Sequence, residues 1–190
     1  MKIKPSYEIQ NIVSYGYLPV ELDLFKLALK LDDIEYEPEQ FPGAIVKLQK
    51  PKVSLLIFKN GKVIVAGAKN EDTIKEALRV AFKLVRSHSK TKPPERYTPK
   101  YTVVNIVSSG SLNVWIDLYK ITTKLPEVEY EPEQFPGAIM RIPEPKCSFL
   151  LFKNGKIIIA GCKVEEDIKK ALVVLVKKLE PFVLEPPKKK

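Results

Sequence analysis

EYEPEQFPGAI, residues 35–45, returns unchanged as residues 129–139. The offset is 94 (129 minus 35). The same offset carries QNIVS at 10–14 onto VNIVS at 104–108, and Phe58-Lys59-Asn60-Gly61-Lys62 onto Phe152-Lys153-Asn154-Gly155-Lys156. It also carries Ala66-Gly67-Ala68-Lys69 onto Ala160-Gly161-Cys162-Lys163. Between 35–69 and 129–163, 24 of 35 aligned positions are identical, so the chain is a tandem duplication. Each copy holds about 90 residues, and two copies are too few for an open solenoid. They imply a closed, pseudo-twofold body, divided by composition into a first repeat at 1–92, a second at 93–184 and a basic tail at 185–190.

Within one copy, Tyr7 to Ser14 reads as a strand. Pro19 to Leu31 reads as a helix opened by proline, with Leu22, Phe25 and Leu29 at helical spacing, and Asp32-Asp33 as a turn. Ala44 to Leu48, Val53 to Phe58 and Lys62 to Ala66 are rich in Val, Ile and Leu and form a meander through an Asn-Gly turn. Asn70 caps a helix through Arg86, with Ile74, Leu78, Ala81 and Val85 on one face. Ser87 to Lys100, with Pro93, Pro94 and Pro99, reads as a linker, and Pro186 to Lys190 as an unpacked tail.

Composition narrows the function classes. No apolar run is long enough to span a bilayer, and MKIKPSYEIQ has no apolar stretch like that of a signal peptide, so the expected setting is intracellular. Lys and Arg outnumber Asp and Glu by 32 to 23, a net charge of +9 that favours polyanions. The lone histidine, His88, and two cysteines, Cys147 and Cys162, cannot make a four-ligand zinc site, and His88 has no nucleophile to serve. No metal, cofactor, membrane or small-molecule substrate is expected, and no catalytic residue is assigned. A two-residue loop at Asn154-Gly155 would set Cys147 opposite Cys162. A three-residue loop with Gly155 left-handed shifts the pairing by one and sends the thiols to opposite faces.

The central strands, Val53-Ser54-Leu55-Leu56-Ile57-Phe58 and Val63-Ile64-Val65-Ala66, are apolar on both faces. Two helices per copy cover one face, so the other must meet a partner. Lys47, Lys52, Lys62 and Lys69 at the strand ends make that partner a polyanion. An apolar strip edged by cations suits a DNA minor groove, whose phosphates lie at its rims.

QFPGAI, PKVSLLIFKNGKVIVAGAK and their copies QFPGAI and PKCSFLLFKNGKIIIAGCK resemble the core of TATA-box-binding proteins, especially archaeal ones. The resemblance spans roughly Tyr7 to Leu179. It implies an α+β fold, a saddle with a curved antiparallel sheet and helices on its convex face. It makes Phe41 with Phe58, and Phe135 with Phe152, the wedges that unstack base steps and kink the duplex. It places Asn11 and Asn105 at minor-groove acceptors near the pseudo-twofold axis, where A·T and T·A look alike. Val13, Leu56 and Ile64, with Val107, Leu150 and Ile158, match the apolar floor. Lys47, Lys62 and Lys69, with Arg141, Lys156 and Lys163, match phosphate-facing positions. Leu56 and Ile64 then share a face, which requires the three-residue loop and argues against a Cys147–Cys162 bridge.

The acidic residues around Pro132, Glu131 and Glu133, match the loop that faces transcription factor B in the family. Ala66 and Ala160 stand where many members carry a base-contacting threonine, which weakens A·T discrimination more than affinity. Lys47 replaces the more usual arginine, and Pro42 and Pro136 make the two wedges alike. The function so implied is a general transcription initiation factor, not an enzyme. It would bind and bend A·T-rich double-stranded promoter DNA and recruit factor B and, indirectly, RNA polymerase, in an archaeal cytoplasm at the nucleoid. Two alternatives stay open: a divergent paralogue acting as a regulator or low-specificity DNA-bending protein, and a protein-interaction module that binds no DNA.

Overall fold

The computed structural model describes residues 2–31 and 34–185. The first copy comprises β1 (Ser6–Tyr17), α1 (Leu24–Lys30), β2 (Ile34–Glu35), β3 (Ala44–Gln49), β4 (Lys52–Ile57), β5 (Lys62–Ala68) and α2 (Glu71–Val85). The second comprises β6 (Tyr101–Ser111), β7 (Trp115–Ile116), α3 (Leu118–Lys124), β8 (Val128–Glu129), β9 (Gly137–Ile142), β10 (Cys147–Phe152), β11 (Lys156–Cys162), α4 (Glu165–Leu179) and β12 (Val183–Leu184). The class is α+β, with two tandem repeats and antiparallel pairing. Among the described residues, no helix is long and apolar enough to cross a membrane.

Two compact units form, one of residues 11–104 and the other of the residues before 11 and after 104. In the first unit the hydrogen-bonded order is β2-β3-β4-β5-β1, with residues 101–104 of β6 beside β1. In the second it is β8-β9-β10-β11-β6, with residues 6–10 of β1 beside β6. Each unit therefore borrows one strand segment from the other copy.

The borrowed segments are tied in by matching hydrogen bonds. In the first unit the Tyr101 hydroxyl donates to Glu71 Oε2 at 2.5 Å, in the first turn of α2. In the second, the Tyr7 hydroxyl donates to Glu165 Oε1 at 2.8 Å, in the first turn of α4. Burial, then the carboxylate's hydrogen bond and charge, push each phenol up to about 12 from 10.0. The native state thus holds a proton that the unfolded chain releases near pH 10, so stability is complete below that pH and falls as pH rises towards 12. Urea denaturation between pH 9 and 12 should show a steeper alkaline loss for the native sequence than for Tyr7→Phe with Tyr101→Phe. Equal slopes would rule the pairs out.

Alternation along the strands separates two faces. Val53, Leu55 and Ile57 of β4 and Val63, Val65 and Ala68 of β5 are buried, and α2 packs Ile74, Leu78, Ala81 and Val85 against that side. β10, β11 and α4 repeat this with Phe149, Leu151, Ile157, Ile159, Ile168, Leu172 and Leu175. Ser54, Leu56, Phe58, Ile64 and Ala66 point the other way and stay half-exposed. Burying apolar side chains contributes roughly 1.5–3 kcal/mol each, so the helix-covered face dominates stability. Ser14 and Ser108, equivalent positions, are fully buried there with their hydroxyls unpartnered.

Several elements depart from the sequence reading. β1 runs to Tyr17, beyond Ser14. The first helix begins at Leu24, capped by Asp23, whose carboxylate accepts from the Lys26 amide at 3.2 Å, and it does not begin at Pro19. Residues 18–22 are extended because Leu18 N–H donates to Gly61 O and Leu22 N–H to Lys59 O, both at 2.8 Å, fastening them to the β4–β5 turn. Leu24 and Leu27 are the helix's buried residues, whereas Phe25 and Leu29 are exposed and Leu22 is buried before the helix starts. The stretch 87–100 does connect the two copies as read, and it is pinned along the way: Ser89 bridges Leu22, and the Tyr97 ring lies 4.9 Å from Phe82 with its hydroxyl on Tyr17 O at 3.2 Å. The Asp32-Asp33 turn and the Pro186 to Lys190 tail lie outside the described residues.

The cysteines are the largest correction. The three-residue loop is present, with Leu56 opposite Ile64 and Leu150 opposite Ile158. Cys147 and Cys162 are nonetheless disulfide-bonded, with Cα atoms 5.3 Å apart. Gly161, at φ +94°, inserts an extra residue as a bulge and returns Cys162 to the buried face with Cys147. Gly67, at φ +99°, does the same in the first copy, where Val53 and Ala68 stand in place of the cysteines.

Candidate nucleic-acid interface

Each unit presents one helix-free sheet face, and the expected site residues can be located on it. In the first unit, cross-strand register lines up Ile45, Leu56, Ile64 and Tyr15 in one row. The next row holds Lys47, Ser54 and Ala66, with Val13 beside it on β1. In the second unit the rows are Ile139, Leu150, Ile158 and Ser109, then Arg141, Ser148 and Ala160, with Val107 alongside. Neither alanine supplies a hydroxyl.

The paired phenylalanines meet in the adjoining row, two positions along the strands from Leu56 and Leu150. Phe41 and Phe58 have ring centroids 5.8 Å apart at 63°, and Phe135 and Phe152 are 6.1 Å apart at 60°. Phe58 follows β4 and Phe152 ends β10; their partners follow a turn in which the Phe41 and Phe135 amides donate to Glu37 O and Glu131 O, each at 2.9 Å. Gly43 and Gly137 sit beneath the pairs, where an added Cβ would stand 2.8 Å from Phe41 and Phe135. Phe41, Phe58 and Phe152 are half-exposed and Phe135 is 45% exposed, so none is core. Glu131 and Glu133 lie exposed on the turn that delivers Phe135.

Asn11 and Asn105 have a shared local role. Asn11 Oδ1 accepts from the Gly67 amide at 2.7 Å, and Asn105 Oδ1 from the Gly161 amide at 2.8 Å. These are the bulge glycines, whose N–H groups would otherwise be left over from the ladder. With the oxygen so committed, the amide nitrogen is the end left to donate, which is what a minor-groove acceptor requires.

The cations edge these faces. Lys47 pairs with Glu35 at 3.1 Å, and Arg141 with Glu129, with all four side chains more than half exposed. Lys62 Nζ lies 4.9 Å from the centre of the Tyr15 ring. Lys69, Lys156 and Lys163 are exposed. In the first unit, Lys47, Lys52 and Lys69 line a shallow groove of about 800 Å³ with Ser54, Ala66 and Gly67. His88 lies in the turn that follows α2, where its Nδ1 is 3.0 Å from the neighbouring Ser87 hydroxyl. No group of three potential metal ligands occurs among the described residues.

Sequence reasoning missed Tyr15, Tyr17, Ile45, Ile139 and the serines of these rows. Period-two counting from Asn11 and Val13 reaches Tyr15 and Tyr17 directly. It also missed Glu35 and Glu129, whose pairing with β3 and β9 cations depends on the short strands β2 and β8.

A family profile described as "Transcription factor TFIID (or TATA-binding protein, TBP)" matches residues 6–88 and 100–182. The TATA-box-binding protein of Pyrobaculum islandicum is 46% identical over 176 residues, covering 93% of this chain and 87% of that one. That of Aeropyrum pernix is 39% identical over 177 residues, covering 93% and 86%. The solved structure titled "Methanococcus jannaschii TBP" superposes with a TM-score of 0.83 at 36% identity, covering 93% of this chain and 99% of that one. With both repeats matched, and sequence and fold in agreement over nearly the whole length, the chain belongs to the TATA-box-binding protein family, a family of transcription factors and not of enzymes.

Proposed function

We propose that the two helix-free faces bind the minor groove of A·T-rich promoter DNA, and that Phe41 with Phe58 and Phe135 with Phe152 enter base steps and kink the duplex. The protein acts as a general transcription initiation factor at the nucleoid, each repeat serving one half of the site. The loop bearing Glu131 and Glu133 receives transcription factor B, and RNA polymerase through it. One observation carries this reading. In both units the same uncovered face holds an apolar row, a Phe pair beside it, an Asn with its amide nitrogen free to donate, and cations at its edge. A protein interface gives no reason for that combination twice over. Ala66 and Ala160 favour a second reading, a DNA-bending paralogue of low sequence preference.

Binding and end-to-end fluorescence transfer on a TATA duplex and a G·C-rich control, across a salt series, test the proposal. The expected result is a bend and tighter binding on TATA. If Lys47, Lys62, Lys69, Arg141, Lys156 and Lys163 each neutralise a phosphate, log K falls against log salt with a slope of about −5. A bend on neither duplex would overturn the proposal, and a bend without preference would favour the paralogue.

Glu35 and Glu129 occupy two of these cations in the free protein. Such exposed pairs contribute only about 0–1 kcal/mol, so phosphates can displace them. Glu35→Gln with Glu129→Gln should tighten TATA binding about three- to tenfold at low salt, by removing competitors and two repulsive charges. Titration should show the gain shrinking as salt rises; unchanged or weaker binding would mean that these cations do not meet phosphate.

A further inference from the structure

Superimposing one copy on the other by the offset of 94 leaves one conspicuous mismatch on the open faces: Tyr15 and Tyr17 correspond to Ser109 and Ser111. The backbone setting is the same. Tyr15 pairs with Ile64 and Tyr17 with Lys62, as Ser109 pairs with Ile158 and Ser111 with Lys156.

The side chains make the two faces differ. Tyr15 and Tyr17 pack edge to face at 6.0 Å and 86°, and Lys62 Nζ lies over the Tyr15 ring at 4.9 Å. That contact holds the Lys62 cation against the Tyr15 ring. The Tyr17 carbonyl accepts the Tyr97 hydroxyl at 3.2 Å, fixing the strand where the tyrosines sit, and Tyr17 remains 55% exposed. In the second unit serines take the places of these rings. Ile158 is 38% exposed, and Lys156 is exposed at the edge. The first repeat thus offers two rings with polar tips and a cation beside them, and the second a ring-free row in which Gln10 Nε2 donates to Ser109 Oγ at 2.9 Å. Elsewhere on these faces the copies match closely: Phe pairs, Asn residues, alanines, and Pro42 with Pro136.

We infer that Tyr15, Tyr17 and Lys62 form a specificity-determining cluster that sets the direction in which the chain lies on duplex DNA. This rests on the minor-groove reading proposed above. A ring filling the groove excludes a half-site too narrow to admit it, and its hydroxyl can bond to sugar, phosphate or base acceptors that a serine on the same strand does not reach. The two halves of an asymmetric A·T-rich site differ in groove width and in ease of opening, so the cluster distinguishes them.

Directional cleavage tests the assignment. Because both native cysteines are bonded, Lys153→Cys on the β10–β11 turn gives one thiol for a tethered hydroxyl-radical reagent. The probe is a duplex with an asymmetric A·T-rich site, with bending read in parallel. The parent protein should cleave one end about tenfold more than the other, the discrimination expected of one good side-chain contact. Tyr15→Ser with Tyr17→Ser should bring the ratio near unity while the bend persists. Ser109→Tyr with Ser111→Tyr in the otherwise native chain should also erase the preference, by making the halves alike, and this keeps the test sound should the first variant misfold. Combining all four substitutions should reverse it. A parent that bends DNA but cleaves both ends equally, or serine variants that bend it with the ratio unchanged, would overturn the cluster's role alone. A parent that bends no duplex would overturn the minor-groove reading and this inference with it.

Discussion

Phe58→Ala together with Phe152→Ala is expected to abolish the bend in a TATA duplex and to weaken binding about a hundredfold, while the protein remains folded. Phe58 follows β4 and Phe152 ends β10 on the helix-free face, each set edge-on against a second phenylalanine and partly exposed. Apolar wedges do their work by unstacking a base step, and without them the remaining contacts cannot hold the kinked form. A hundredfold loss corresponds to about 2.8 kcal/mol, within the range of binding hot spots. Folding stability should fall by only about 1–2 kcal/mol, since each ring is already partly in water and leaves no enclosed cavity. Phe149, three residues before Phe152 but fully buried on the helix side, is the control. Phe149→Ala should cost about 3–5 kcal/mol by opening a cavity. Thermal denaturation and fluorescence transfer on the same samples separate the two roles. If Phe58→Ala with Phe152→Ala melts as Phe149→Ala does, the pairs are core and the wedge mechanism fails.

Which features were legible in the sequence follows from how local their causes are. The duplication, the strand meander and the hairpin register depended on neighbours in sequence. Gly61 and Gly155, at φ +78° and +79°, close loops whose length determines that Leu56 meets Ile64 and Leu150 meets Ile158. The helix start at Leu24 depended on something distant, the bonding of residues 18–22 to the β4–β5 turn, which overrode the spacing of Leu22, Phe25 and Leu29. That the linker is packed down is likewise a distant matter, since composition does not show that Tyr97 has Phe82 to pack on. At the candidate site, the Phe pairs and Asn residues stood out because they recur with the repeat. Tyr15 and Tyr17 were overlooked because attention to the repeat hides what is present in only one copy. The ion pairs of Glu35 and Glu129 required the two-residue strands β2 and β8, too short to announce themselves.

The disulfide yields the second large effect. Cys147→Val with Cys162→Ala should lower the melting temperature by about 5–10 °C, because closing a loop of about 15 residues contributes about 3 kcal/mol in the chain-entropy account. The substitution is chosen from the protein itself: the first copy has Val53 and Ala68 at the equivalent places, 5% and 0% exposed, beside the same kind of glycine bulge. Packing loss is thereby kept small, and what remains is the cross-link. A strong reductant added to the native protein should reproduce most of the shift and leave the variant's melting point unmoved. Both sulfurs lie on the buried face, opposite Leu150, Ile158 and Phe152, so DNA bending below the melting transition should be unaffected. A variant melting within about 1 °C of the parent would show that the bridge adds nothing to folding, and that the β10–β11 ladder holds its register without it. A variant that is stable but no longer bends DNA would show instead that the cross-link shapes the open face through the strands, a coupling between the faces that the alternation of side chains does not lead one to expect.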